Sequence, residues 1–171
     1  MTAPAVQHAR GVLDTSTVIL LPRMTDAALL PAEPLTTAVT LAELSVGPLV
    51  ASTEAERAAR QAHLQQAEAD FEPLPFDAQA ARAFGRVAAS LRRAGRKTRA
   101  RAYDVLIAAT ALANHLPVYT CNPDDFSGID GLDVVAVPIP RSPVVSVETA
   151  HATPRERRQP SQRRSSKTHR R

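Results

Sequence analysis

Residues 102–115 read AYDVLIAATALANH, a helix-forming run that is apolar on most of its surface. A helix of that kind is stable only when covered on nearly every side. A single neighbouring helix cannot do that, so the run needs a sheet beneath it and further helices beside it. Directly after it comes VYTC at 118–121, a short β-prone segment, and VVAV at 134–137 is another. Val12-Leu13 is a third short apolar segment, and LTTAV at 35–39 is strand-like. Helical signals lie between them. A strongly polar run at 53–71 opens with Thr53 and Glu56 in capping-box spacing. Asp77 can cap a helix reaching about Ala94, with Gly95 just past its end. TLAELSVGPLV at 40–50 reads as a short helix interrupted at Gly47-Pro48, with Thr40 to Glu43 as its own capping box. Strands separated by helices predict an α/β fold, with a central parallel sheet flanked by helices on both faces. Aromatics make up only 4% of the chain and Trp is absent, so Ala, Val and Leu must fill the core, which favours close packing of helices on a sheet.

The chain has 171 residues and a formal net charge of +4, but the charge is unevenly spread. Residues 142–171 hold eight basic residues against two acids, whereas 1–141 hold 13 against 15. Beyond Thr153 the sequence is Arg, Ser, Gln and Pro with nothing apolar to bury. One domain over 1–141 and a basic, disordered tail over 142–171 are therefore expected. A lone cysteine, Cys121, excludes an internal disulfide framework. No signal peptide and no membrane-spanning run is visible. A soluble, cytoplasmic protein is the expectation.

In open parallel sheets, sites form beyond the carboxyl ends of the strands. Acids recur at those junctions. Asp14 follows the first strand, Glu43 is placed in the first turn of the helix after LTTAV, and Asp104 opens the buried helix. Asn122, Asp124 and Asp125 follow VYTC. Each has an ordinary explanation as a cap or a first-turn acid. The set is less easily explained, because clustered carboxylates repel unless they share a cation. An all-oxygen site suits Mg²⁺ or Mn²⁺ and phosphate substrates. Other catalytic plans lack their residues. There is no Gly-x-Ser-x-Gly, and the five histidines show no metal-pair spacing. A basic run, RRAGRKTRAR, holds Arg92, Arg93, Arg96, Lys97, Arg99 and Arg101. It reads either as a solvated loop or as a rim that contacts phosphates.

The segments VLDTSTVI, TAVTLAEL, ARAYDVLIAATALANHLPVYTCNPDDF and GLDVV, taken in that order, resemble the PIN-domain family. Within it they are most similar to VapC-type ribonuclease toxins of toxin–antitoxin pairs. The resemblance runs from about Val12 to Pro138. It implies a Mg²⁺-dependent endoribonuclease with catalytic Asp14, Glu43 and Asp104. Asp14 and Asp104 would hold the metal, with Glu43, Asp124 and Asp125 as further candidates. Ser16, Thr120 and Asn122 would support the site. The chain departs from the family at Asn122, where many relatives carry Asp, so Asp124 or Asp125 is expected to supply the fourth charge. The resemblance also implies a VapB-like antitoxin partner, an RNA substrate and a homodimer. The helix at 53–71 and its neighbour offer a dimer face or an antitoxin groove. The competing reading is a noncatalytic PIN-fold domain that binds RNA or protein.

Overall fold

The computed structural model describes residues 7–96 and 101–140. The expected tail over 142–171, with Lys97 and Arg99 of the basic run, lies outside those residues. The described chain forms four strands and five helices of four residues or more, apart from short 3-10 turns: β1 (Arg10–Leu13), α1 (Thr15–Leu20), β2 (Glu33–Leu35), α2 (Ala38–Leu49), α3 (Glu54–Asp70), α4 (Ala78–Arg93), α5 (Ala102–Ala113), β3 (Val118–Thr120) and β4 (Val134–Ala136). The sheet has the order β2-β1-β3-β4 and every neighbouring pair is parallel. All four strands therefore end on the same edge.

The two-residue period of a strand assigns the core to two layers. Val12 and Val118 point to one face, where they pack with Val87, Leu91, Val105 and Ile107 of α4 and α5. Leu13 and Tyr119 point to the other, where they meet Val18, Leu44 and Ala67 of α1, α2 and α3. The result is the three-layer α/β/α arrangement expected from the alternation of segments. Helix α5 is covered as its composition demands: Val105, Ile107, Ala108, Ala109 and Ala111 are all buried. Each fully buried Val or Ile contributes about 1.5–3 kcal/mol relative to exposure. The helix stops at Ala113, and His115 takes a left-handed backbone conformation with φ 55° that turns the chain into β3.

Close approach explains one glycine. A Cβ on Gly11 would lie 2.6 Å from the Tyr119 ring, which is fully buried. The Tyr119 hydroxyl lies 3.0 Å from Nδ1 of His8, whose Nε2 pairs with Asp133 at 3.1 Å.

Three local expectations are corrected. The second strand is Glu33–Leu35 rather than 35–39, and α2 begins at Ala38 with Thr37 as its cap. Thr37 Oγ1 accepts from the Thr40 N–H at 3.1 Å, so Thr40 is inside the helix. Glu43 consequently sits in the second turn, not the first. Gly47 and Pro48 also lie within α2. Pro48 is close to the helix end and buried, where its missing N–H removes one bond, and the C-cap Val50 N–H still bonds to the Val46 carbonyl at 3.2 Å. Among the described residues, no helix is long and apolar enough to cross a membrane.

Candidate active site

Asp14 is the first residue beyond β1 and the cap of α1 at once; its carboxylate accepts the Thr17 N–H at 2.9 Å. It is only 5% exposed, so its oxygens must be satisfied by the protein. Ser16 Oγ stands 2.9 Å from both of them, and Thr120 Oγ1 donates to Oδ2 at 2.8 Å. The two hydroxyls are themselves oriented. Ser16 Oγ accepts from the Cys121 N–H at 3.2 Å, and Thr120 Oγ1 accepts from the Asn122 N–H at 2.9 Å. An amide can only donate, so each hydroxyl is left to direct its own proton at Asp14. The carboxylate is thereby held by two strand ends and one helix start.

Glu43 projects from the second turn of α2, and Thr15 Oγ1 donates to its Oε2 at 2.5 Å. Thr15 is a residue that sequence reasoning passed over. The signal was present, since it neighbours Asp14, but its target depends on how α1 packs against α2. Both residues line a cleft of about 280 Å³ with Ile19, Leu44, Arg60 and His63.

Asp104 lies in the first turn of α5, half-buried. Its pKa is raised to about 6, first by burial and then by the charges of Asp125, Glu43 and Asp14, while Arg101 opposes them. Charges from three other segments thus reach Asp104 at the sheet edge. Asp125 occupies the 3-10 turn Pro123–Phe126 and is half-buried, whereas Asp124 is exposed. Asn122 enters the site through its backbone N–H.

All four acids offer hard oxygen donors, the set that Mg²⁺ or Mn²⁺ prefers. The repulsion felt at Asp104 is what a shared cation would relieve. Among the described residues, no three His, Cys, Asp or Glu side chains are gathered into a ready metal-binding group.

The basic run is partly committed to intramolecular contacts. Arg93 pairs with Asp130 at 2.5 Å, Arg96 donates to the Ser127 carbonyl at 2.9 Å, and Arg101 donates to the Asp124 carbonyl at 2.8 Å. Arg92 is exposed at the end of α4.

Comparison with known proteins identifies the fold. The family model for the PIN domain matches residues 12–132. The chain belongs to the PIN-domain family. Its likeness to ribonuclease VapC5 of Mycobacterium tuberculosis (strain ATCC 25618 / H37Rv) is 47% identity over 131 residues, covering 75% of this chain and 94% of that protein. The crystal structure of VapBC-5 from the same species, a member of the VapBC family of toxin–antitoxin systems, matches with a TM-score of 0.65 and 44% identity, over 75% of this chain and 99% of that one. A DNA-bound VapBC from Salmonella typhimurium matches with a TM-score of 0.60 and 27% identity, over 73% and 96% of the two chains. This PIN domain is therefore similar to VapC-type toxins in sequence and in fold.

Proposed function

We propose that the protein is a divalent-cation-dependent endoribonuclease toxin that hydrolyses RNA phosphodiester bonds and is restrained by a cognate antitoxin. The observation that carries this reading is the approach of Asp14, Glu43 and Asp125 to Asp104 at the carboxyl edge of the sheet, where burial and their charges disfavour its ionised form. Such an arrangement costs stability, and a shared cation would offset that cost. Bound there, Mg²⁺ or Mn²⁺ would supply Lewis acidity toward a phosphoryl oxygen and a water of lowered pKa. The chain's own residues provide the geometry. Asp14, immobilised by Ser16, Thr17 and Thr120, and Asp104, carried by α5, would hold the cation. Glu43, oriented by Thr15, would complete the shell or align the attacking water. Exposed Arg92 would assist in drawing the RNA backbone toward this acidic centre. Likeness to the toxin of a toxin–antitoxin complex supports the antitoxin partner. So does a second cleft of about 330 Å³ between α1 and α3, which shares His63 with the cleft beside Glu43. Together they suit an amphipathic segment of a partner protein.

The test is RNA cleavage by the full chain and by Asp14→Asn. The mutant is expected to retain the wild-type circular dichroism spectrum and to lose cleavage. Excess EDTA should stop the wild-type protein, and added Mg²⁺ or Mn²⁺ should restore it. Cleavage that persists in excess chelator would refute the cation-dependent mechanism.

A further inference from the structure

Arg101 breaks a local rule. It is the N-cap of α5, with φ −134° and ψ 40°, yet its side chain makes no capping hydrogen bond. Asn, Asp, Ser and Thr are preferred there, and a cation at a helix N-terminus opposes the macrodipole. Residues that violate such preferences tend to be placed by something beyond the helix. Here the cause is visible. The Arg101 guanidinium reaches the turn after β3, where Nη1 donates to the Asp124 carbonyl at 2.8 Å and stands 3.3 Å from Asp125 Oδ1. Both side chains are about two-thirds covered, at 32% and 34% exposed, so the pair is less screened than a surface one. Arg93 and Arg96 grip the same connection further along, at Asp130 and Ser127. Of the three, only Arg101 contacts an acid whose charge reaches Asp104.

We propose that Arg101 is a positioning residue for the carboxylate site: by holding the Asp124 carbonyl and the Asp125 carboxylate together, it fixes where Asp125 stands relative to Asp104 at the start of α5. The inference rests on the ribonuclease reading above and assigns to that site a residue whose charge alone would suggest an RNA contact. A guanidinium suits the task because its planar fork presents several donors in fixed geometry, whereas an ammonium acts as a point charge. Asp104 and Arg101 share one helical turn, so whatever Arg101 holds is held in register with Asp104.

The experiment uses the full chain as wild type, Arg101→Gln, Arg101→Lys, Asp125→Asn and the Arg101→Gln/Asp125→Asn double mutant. Mn²⁺ affinity is measured by titration calorimetry without RNA, and kcat and KM are measured on RNA. Loss of a group that orients a ligand typically costs about 10–100-fold in metal affinity or activity. Arg101→Gln is therefore expected to lower Mn²⁺ affinity and kcat by about tenfold or more, with KM unchanged. Arg101→Lys should fall between it and wild type. In the Asp125→Asn background, Arg101→Gln should have a much smaller effect on both quantities, what remains being the loss of its direct charge on Asp104. Three results would overturn the proposal: full additivity of the two substitutions, a change confined to KM and its salt dependence, or tighter Mn²⁺ binding by Arg101→Gln. The ribonuclease reading fails separately. If wild type binds Mn²⁺ but cuts no RNA, that reading falls and Arg101 is judged on the Mn²⁺ affinities alone. If wild type binds no Mn²⁺, both are refuted.

Discussion

Replacing Thr120 with Val tests whether the hydroxyl network around Asp14 stabilises the folded state. Thr120 is wholly buried, and its hydroxyl serves two partners: it donates to Asp14 at 2.8 Å and accepts the Asn122 N–H at 2.9 Å. Val has nearly the same shape, so packing is preserved and the change is confined to the hydroxyl. A hydrogen bond to a charged group is worth about 1.5–3 kcal/mol, and an amide left unpaired costs about 1–3 kcal/mol more when fully buried. Asn122 is exposed, so water can reach part of that second cost. A net loss of about 2–4 kcal/mol is expected. At about 3 °C per kcal/mol for a domain of this size, the melting temperature should fall by about 6–12 °C. Thr120→Ser keeps the hydroxyl and loses a methyl group worth about 0.8 kcal/mol. The expected order of stability is wild type, then Thr120→Ser, then Thr120→Val. Apolar burial alone predicts the opposite order for the two mutants. Urea unfolding in chelator-treated buffer checks this, since a bound cation would add its own linkage. If Thr120→Val is as stable as wild type, the network does not hold Asp14 as described.

Two further perturbations address other parts of the fold and site. Asp104 binds its proton more tightly in the folded chain, at about 6, than in the unfolded chain, at the ordinary 3.8. The stability it contributes is therefore fully present below 3.8 and is lost as pH rises through about 6. In metal-free buffer, Asp104→Asn should melt above wild type at neutral pH, and the gain should disappear toward the acid end of that window. An Asp104→Asn protein whose melting temperature differs from wild type by the same amount at every pH would refute the electrostatic account. Gly11→Ala would bring a Cβ within 2.6 Å of the Tyr119 ring and 3.3 Å of Pro31. Overpacking of this kind costs about 1–3 kcal/mol, measurable by urea unfolding, and unchanged stability would mean that Tyr119 yields.

The sequence by itself determined the class of fold and the edge on which the acids lie. An all-round apolar helix at 102–115 has to be enclosed, and short β-prone segments alternating with helices leave a parallel sheet as the solution. Parallel strands send Asp14, the start of α5 and the turn after β3 to one edge whatever the packing details. Local capping chemistry was equally legible at Asp14, Thr53 and Asp77, because each cap satisfies amides only two or three residues away.

Where local signals compete, tertiary contacts decided. Thr37 and Thr40 can each cap α2, and the Thr40–Glu43 spacing favoured the wrong one. Thr37 wins because the chain beside it is pinned to a distant segment: the Ala38 N–H bonds to the Leu74 carbonyl, and the Leu74 N–H bonds to the Thr36 carbonyl, both at 2.9 Å. That choice rotates Glu43 into the second turn, where Thr15 reaches it. The same limit applies after β3, where the sequence offers Asp124 and Asp125 without distinction. Only the three-dimensional turn half-buries Asp125, exposes Asp124, and brings Arg101 to the half-buried acid. A run of arginines reports charge, but the partner of each guanidinium depends on how the end of α4 and the start of α5 lie against the β3–β4 connection. That is set by packing between segments far apart in the chain.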